Sequence, residues 1–181
     1  ALVGIDFRPA TGELYGLGNA GGVYTLNLAT AEATLRSRLN MALAGSAFGV
    51  DFNPTVDRLR ITGNTGQNLR VNVDDGATIA DGMLTYTPMT PTLGIAGVAY
   101  TNNDADAATA TTLFDIDAAL DQVAIQAPPN NGGLNPTGKL GVDVGSRGDV
   151  DIYSTVRSGA TVAVSTLAAL EVGGSSNLYA V

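Results

Sequence analysis

Gly4-Ile5-Asp6-Phe7-Arg8-Pro9 returns as Gly49-Val50-Asp51-Phe52-Asn53-Pro54, displaced by 45 positions. The match continues without a gap: Leu14 falls on Leu59, Gly18 on Gly63, Asn19 on Asn64, Gly21 on Gly66, Leu26 on Val71 and Asn27 on Asn72. A looser third copy opens at Gly97-Val98-Ala99-Tyr100 and ends in Leu113-Phe114-Asp115-Ile116-Asp117. A fourth opens at Val150-Asp151-Ile152-Tyr153, and its Asn177-Leu178-Tyr179-Ala180-Val181 stands where Gly22-Val23-Tyr24-Thr25-Leu26 stood in the first. Self-similarity at a fixed period of this length is the signature of repeat architectures.

Within each copy the hydrophobic period is two. Leu14-Tyr15-Gly16-Leu17, the turn Gly18 to Gly22, and Val23 to Leu28 read as a β-hairpin whose turn residues tolerate positive φ. In the second copy Leu59, Ile61, Leu69, Val71 and Val73 are expected to face the core, with Arg58, Arg60 and Arg70 outside. A lead strand (Val3 to Phe7, Phe48 to Phe52) precedes each hairpin, and a trailing one (Ala33-Thr34-Leu35, Ala77-Thr78-Ile79) follows it. Four short strands every ~45 residues is the blade period of a β-propeller. A sandwich or barrel of similar strands is the alternative, but the ungapped identity of Gly, Asp, Phe and Pro at matching offsets favours the propeller. The expected fold is therefore all-β and β-propeller-like, with about four antiparallel repeats at 1–46, 47–93, 94–140 and 141–181, in an incomplete ring. Ala105 to Thr112 is Ala-rich but carries three threonines, and Ser165 to Leu170 has room for one helical turn; both read more safely as loop or strand.

Composition supports a packed, turn-rich domain. The 181 residues are 45% hydrophobic and only 14% charged, with 23 glycines and 7 prolines, too apolar for disorder and too punctuated for a helical bundle. No apolar run approaches the roughly 18 residues of a membrane span. Cys, His and Trp are all absent, which excludes thiol nucleophiles, Ser–His and Cys–His pairs, and zinc, haem and iron–sulfur sites built on those ligands. The net charge of −8, with one lysine (Lys139) beside eight arginines, leaves no basic stripe for nucleic acid. Such an acidic, cysteine-free, lysine-poor composition points to an exported bacterial protein, secreted or at the cell surface. Ala1 opens directly into a strand pattern, and the last copy stops within a hairpin. The chain is thus expected to be part of a longer polypeptide, or to take a strand from another subunit.

Chemistry-bearing residues are few. Asp6 and Asp51 occupy the same repeat position, with Asp143 and Asp151 as counterparts. A carboxylate there, beside a Phe and shortly before a Pro, is expected chiefly to accept backbone N–H bonds from the turn that follows it; the functional alternative rings the central channel with carboxylates that hold a cation or a sugar. Asn102-Asn103-Asp104-Ala105-Asp106 and Asp115-Ile116-Asp117 are oxygen-rich, and calcium takes six to eight oxygens. Asp104, Asp106, Asp115 and Asp117 are thus the candidate metal ligands, with calcium the one cofactor considered; none matches EF-hand spacing. Asp74-Asp75-Gly76 is a third acidic stretch. With only Glu13, Glu32 and Glu171 as glutamates, and no acid beside a distinctly apolar partner, no catalytic pair stands out. The loop Ala127 to Pro136 and the segment Leu84 to Leu93 read as long connections with a secondary reading as contact surfaces for a partner or glycan.

Val3 to Tyr15, the run Phe48 to Arg70, Ala99-Tyr100-Thr101-Asn102-Asn103 and Gly141-Val142-Asp143-Val144 together resemble the bacterial domain family of unknown function DUF4394, over essentially the whole chain. The resemblance implies a propeller-like repeat domain of secreted or surface proteins and supplies no catalytic residues. The function expected is a non-enzymatic extracellular structural or interaction domain, partnered by protein or by itself. The alternatives are a self-assembling filament or sheath subunit with strand exchange, and a calcium- or carbohydrate-binding module or glycoside-acting enzyme.

Overall fold

The computed structural model describes residues 1–86, 90–91, 93–104 and 106–181. It holds four antiparallel meanders. The first blade is β1 (Leu2–Phe7), β2 (Leu14–Gly18), β3 (Gly22–Leu26) and β4 (Ala33–Arg38); the second is β5 (Phe48–Asn53), β6 (Arg58–Gly63), β7 (Asn68–Val71) and β8 (Thr78–Ala80). A two-stranded ribbon, β9 (Thr85–Tyr86) with β10 (Thr90–Pro91), precedes the third blade, β11 (Ile95–Tyr100), β12 (Leu113–Asp117), β13 (Gln122–Gln126) and β14 (Leu134–Lys139). The fourth sheet has three strands, β15 (Val144–Arg157), β16 (Ala160–Val172) and β17 (Ser175–Ala180). Among the described residues there is no α-helix, only a 3-10 turn at Pro129–Asn131, and Ser165 to Leu170 lies within β16. The four sheets stand in a ring resembling a four-bladed propeller, and no sheet closes on itself.

Lead strands β1, β5, β11 and β15 run near the axis, each packed on the next. The recurring glycine makes that approach possible. A Cβ at Gly49 would sit 2.6 Å from the Val98 nitrogen, and one at Gly97 would sit 2.9 Å from the Asp149 Cα, so a side chain at either position would force the blades apart. The first interface is apolar: Tyr15, Leu17 and Val23 meet Phe48, Val50, Phe52, Leu59, Ile61, Leu69 and Val71, with Tyr15 and Phe52 edge-to-face at 5.4 Å. The five second-blade residues expected in the core are there. The third and fourth blades share a second apolar cluster around Ile116, Val150, Ile152 and Leu170.

The interface between the second and third blades corrects one expectation. Arg58 is exposed, as its strand alternation suggests, but Arg60 on the same face is 1% exposed. Alternation separates two faces of a strand, and in a ring of blades both faces meet a neighbour. Arg60 is therefore buried, as are Asp51, Thr62 and Asn68 of its own blade and Tyr100, Asp115, Asp117, Gln122 and Gln126 of the third. Its guanidinium donates to Asp81 (2.6 Å), Asn68 (2.7 Å), Asn130 (2.8 Å) and the Tyr100 hydroxyl (3.3 Å). Asn130 comes from the Ala127–Pro136 loop, so this connection reaches across to grip the second blade. In the Leu84–Leu93 segment Leu84 is buried and Tyr86 donates to Asp117 (2.9 Å), while Thr87, Pro88, Met89 and Thr92 lie outside the described residues.

The β15–β16 hairpin is longer than the blade, since β17 pairs only from Leu167 onward. Beyond that point a two-stranded arm continues to the turn at Ser158 (φ 52°) and Gly159 (φ 81°). Two consecutive positive-φ residues are the tight hairpin turn that matches strand twist. No atom lies within 4 Å of a Cβ at Gly159, so Gly159→Ala tests conformation alone. It is expected to cost about 1 kcal/mol, read as faster amide exchange in residues 156–162 with the global melt barely moved.

Candidate functional site

The repeat position of Asp6 and Asp51 does two things at once. Asp6 Oδ2 accepts the Phe52 N–H (2.7 Å), and Asp51 Oδ1 accepts the Tyr100 N–H (3.1 Å). Each carboxylate thus ties its blade to the lead strand of the next, a structural role, but with its N–H partner 46 or 49 residues away rather than in the turn that follows it. In the third copy the position is Ala99, and no such tie is made to the fourth blade. There Asp121 Oδ1 accepts the Val144 N–H (2.8 Å) and Asn103 donates its backbone N–H to Ser154 Oγ (3.1 Å) instead.

These carboxylates also converge. One oxygen each of Asp6, Asp51 and Asp151 lies within 4.8 Å of the others, the one such acidic group among the described residues. Asp143, the other counterpart considered, is exposed and not among them. Burial pushes the Asp6 carboxyl up to about 7, against the pull of the Phe52 N–H, and Asp151 and Asp149 push it further. Burial and then the Asp6 charge raise Asp51 well above the carboxylate range. Burial raises Asp149 to about 6. Such a trio has two ways to relieve its repulsion, sharing protons or holding a cation.

The sequence-picked ligands lie elsewhere and form two separate pairs. Asp104 and Asp106 share the β11–β12 loop, with Ala105 between them outside the described residues. Asp104 accepts from the Asp106 N–H (3.0 Å) and from the Thr161 backbone and hydroxyl (3.2 and 3.1 Å), which fastens the loop to the β15–β16 arm and holds the carboxyl below its usual value. Asp115 and Asp117 share one face of β12, both fully buried. Asp117 accepts from Tyr86 and from the Ala119 and Leu120 N–H groups. Neither oxygen of Asp115 has a partner among the described residues, and burial raises its carboxyl strongly, with Arg60 the opposing influence.

Two cavities have apolar linings. One of about 560 Å³ separates the third and fourth blades, lined by Phe114, Ile116, Val142, Val164, Leu170 and Tyr179 among others, with Lys139 beside them. The second, about 340 Å³, is the wedge between the first and fourth blades; Ile5, Phe7 and Leu14 face Leu167, Ala169 and Leu178 across it, with Asp6, Asp51, Asp149 and Asp151 also lining it. Neither was legible as a cavity in the sequence, although the alternation of their strands was.

A ring of three four-stranded sheets and one three-stranded sheet, its first three blades joined by carboxylate ties, defines a propeller-like repeat domain. The chain belongs to the family described as a domain of unknown function, DUF4394, whose match spans residues 1–181. No curated protein matches it. Among solved structures it is similar to an auxiliary nutrient binding protein from Bacteroides ovatus ATCC 8483 (16% identity, TM-score 0.50), covering 81% of this chain and 37% of that one. It is also similar to the major Malassezia sympodialis allergen Mala s 1 (12% identity, TM-score 0.52), covering 93% of this chain and 52% of that one. These likenesses concern the fold, and this chain spans only about a third to a half of either protein's length.

Proposed function

We propose that this chain is a non-enzymatic interaction domain of an exported bacterial protein, with its contact surface in the wedge between the first and fourth blades. One observation carries the reading. Val50, Phe52 and Val73 are 4%, 1% and 1% exposed, whereas their repeat equivalents Ile5, Phe7 and Leu28 are 49%, 50% and 71% exposed. The first blade repeats the apolar pattern that the second uses to bury itself against a neighbour. Ile5 and Phe7 line the wedge together with Leu14, while Leu28 lies outside it; exposed apolar surface of this kind marks a contact site. Its partner is a sheet of similar chemistry, supplied by a second copy of the chain. Asp6 and Asp51 are occupied in holding blades together, which favours a scaffold role over acid–base chemistry.

The protein is expected to self-associate across the micromolar range in sedimentation velocity. Phe7→Asp is expected to weaken that association at least tenfold, about 1.4 kcal/mol or more. Phe7 is half exposed, so the variant should fold; a wild-type protein that stays monomeric, or a variant that associates equally, sinks the reading.

A second reading, small-molecule binding, is favoured by the 560 Å³ cleft between the third and fourth blades, a volume in the range of ligand pockets. The nutrient binding named for the Bacteroides neighbour is consistent with that reading.

A further inference from the structure

We propose that the groove between the second and third blades binds a small anionic ligand through the guanidinium groups of Arg58 and Arg70, with its recognised group a carboxylate or a phosphate. The site is independent of the apolar wedge. A space of about 440 Å³ opens there, lined by Arg58, Arg60, Arg70, Tyr100, Asn53 and Asn130 among others. The three arginines share one face: Arg58 and Arg60 are two apart on β6, and Arg60 is directly opposite Arg70 on β7. Like charges facing each other across strands are destabilising unless something neutralises them.

Only part of that neutralisation is present. Asp81 serves two of the three, accepting from Arg60 Nη1 (2.6 Å) and, through both its oxygens, from Arg70 Nε and Nη2 (2.7 and 2.9 Å). Arg58 pairs with no carboxylate among the described residues; its Nη1 donates to the carbonyls of Val56 (3.5 Å) and Asp57 (2.8 Å). Asp57 is itself engaged by Arg8 at 2.6 Å. Asp115, which faces Arg60 from the third blade, is held towards its neutral form by burial. Three guanidinium groups therefore stand against one committed carboxylate, in a protein whose net charge is −8 and which has nine basic residues in all.

Hydrogen-bonding capacity points the same way. A guanidinium offers five N–H donors. Arg60 spends four within the protein and serves as the fixed floor of the groove. Arg70 keeps Nη1 unused, and Arg58 keeps the Nε–Nη2 edge, among the described residues. That edge matches the spacing of two oxygens on a carboxylate or phosphate, where paired charge-assisted bonds are strongest. The groove is thus rich in donors and short of acceptors, the reverse of the acidic surface around it.

Isothermal titration of the whole chain with sodium phosphate, glucuronate and glucose, at constant ionic strength, tests the assignment. Saturable binding of at least one anion is expected, with glucose silent. A response to glucuronate alone assigns a carboxylate, and one to phosphate alone a phosphoryl group. Arg58→Gln is expected to weaken that binding at least tenfold while leaving the melting temperature unchanged. Arg36→Gln, which removes an exposed arginine paired with Asp74 outside the groove, is expected to bind as wild type. Absence of saturable binding for both anions, or equal affinity in the Arg58 variant, overturns the proposal.

Discussion

Arg60→Ala is expected to lower the melting temperature by on the order of 10 °C. Truncation strands four groups at once: Asp81, whose side chain is 5% exposed, and the polar atoms of Asn68, Asn130 and Tyr100. Removing one member of a buried ion pair costs about 3–5 kcal/mol, because the remaining charge is left without compensation. In a domain of this size each kcal/mol corresponds to about 2–4 °C. Arg70 keeps its own bonds to Asp81 and softens the loss. Arg60→Lys preserves the charge but loses the planar fork that reaches Asn130 and Tyr100 together, so its melting temperature should fall between those of wild type and Arg60→Ala. Circular dichroism melts of the three proteins check this; an alanine variant within about 2 °C of wild type would mean that the polar interface does not hold the blades together.

Stability is expected to fall as pH rises from about 4 to about 7, the reverse of the usual behaviour of a carboxylate-rich protein. An Asp in the unfolded chain releases its proton near 3.8, whereas Asp6 holds its proton to about 7 and Asp149 to about 6 in the folded state. Between those values the folded protein binds more protons than the unfolded one, so raising the pH favours unfolding. Their contribution is fully present below the unfolded value and is lost as pH passes the folded ones. Asp51 adds in the same direction. Asp74, lowered by its bond with Arg8, acts oppositely, and its contribution is lost as pH falls below the usual carboxylate range. Asp6→Asn isolates the axial effect, since its carbonyl oxygen can still accept the Phe52 N–H while carrying no charge. It is expected to melt several degrees above wild type at pH 7.5 and to match it near pH 4.5. The same melts with added calcium separate the two ways of relieving the trio: shared protons predict no shift at pH 7.5, and a held cation predicts a rise for wild type that Asp6→Asn loses. An Asp6→Asn protein less stable than wild type at both pH values, without calcium, would refute the proton account.

The blades were legible because hairpin formation is local. Alternation at Leu59, Ile61, Leu69 and Val71, with Gly63 to Gly66 between, sets pairing, register and one buried face from neighbours in the chain. The recurrence of Gly4-Ile5-Asp6-Phe7 at Gly49-Val50-Asp51-Phe52 gave the repeat, but only the packed blades show its use: Gly49 admits the next lead strand, and the aspartates bond to it. Alternation was silent on what covers the second face. It put Arg60 with Arg58 and Arg70 on the outside, and the third blade then buried Arg60 alone. The long arm of the fourth sheet also escaped, although Ser158-Gly159 between alternating segments carried its signal.

Residue order along 181 positions was enough for the repeat, the all-β class, the strand pairs of the first two blades and the apolar face of the second, since all of these depend on groups within a few dozen residues of one another. The gathering of Asp6, Asp51 and Asp151, the burial of Asp115, and the groove of three arginines depend on which blade follows which around the axis and how closely. Those distances arise from side chains up to 145 positions apart, as between Asp6 and Asp151, and only packing of the finished blades brings such groups within reach of each other's charge.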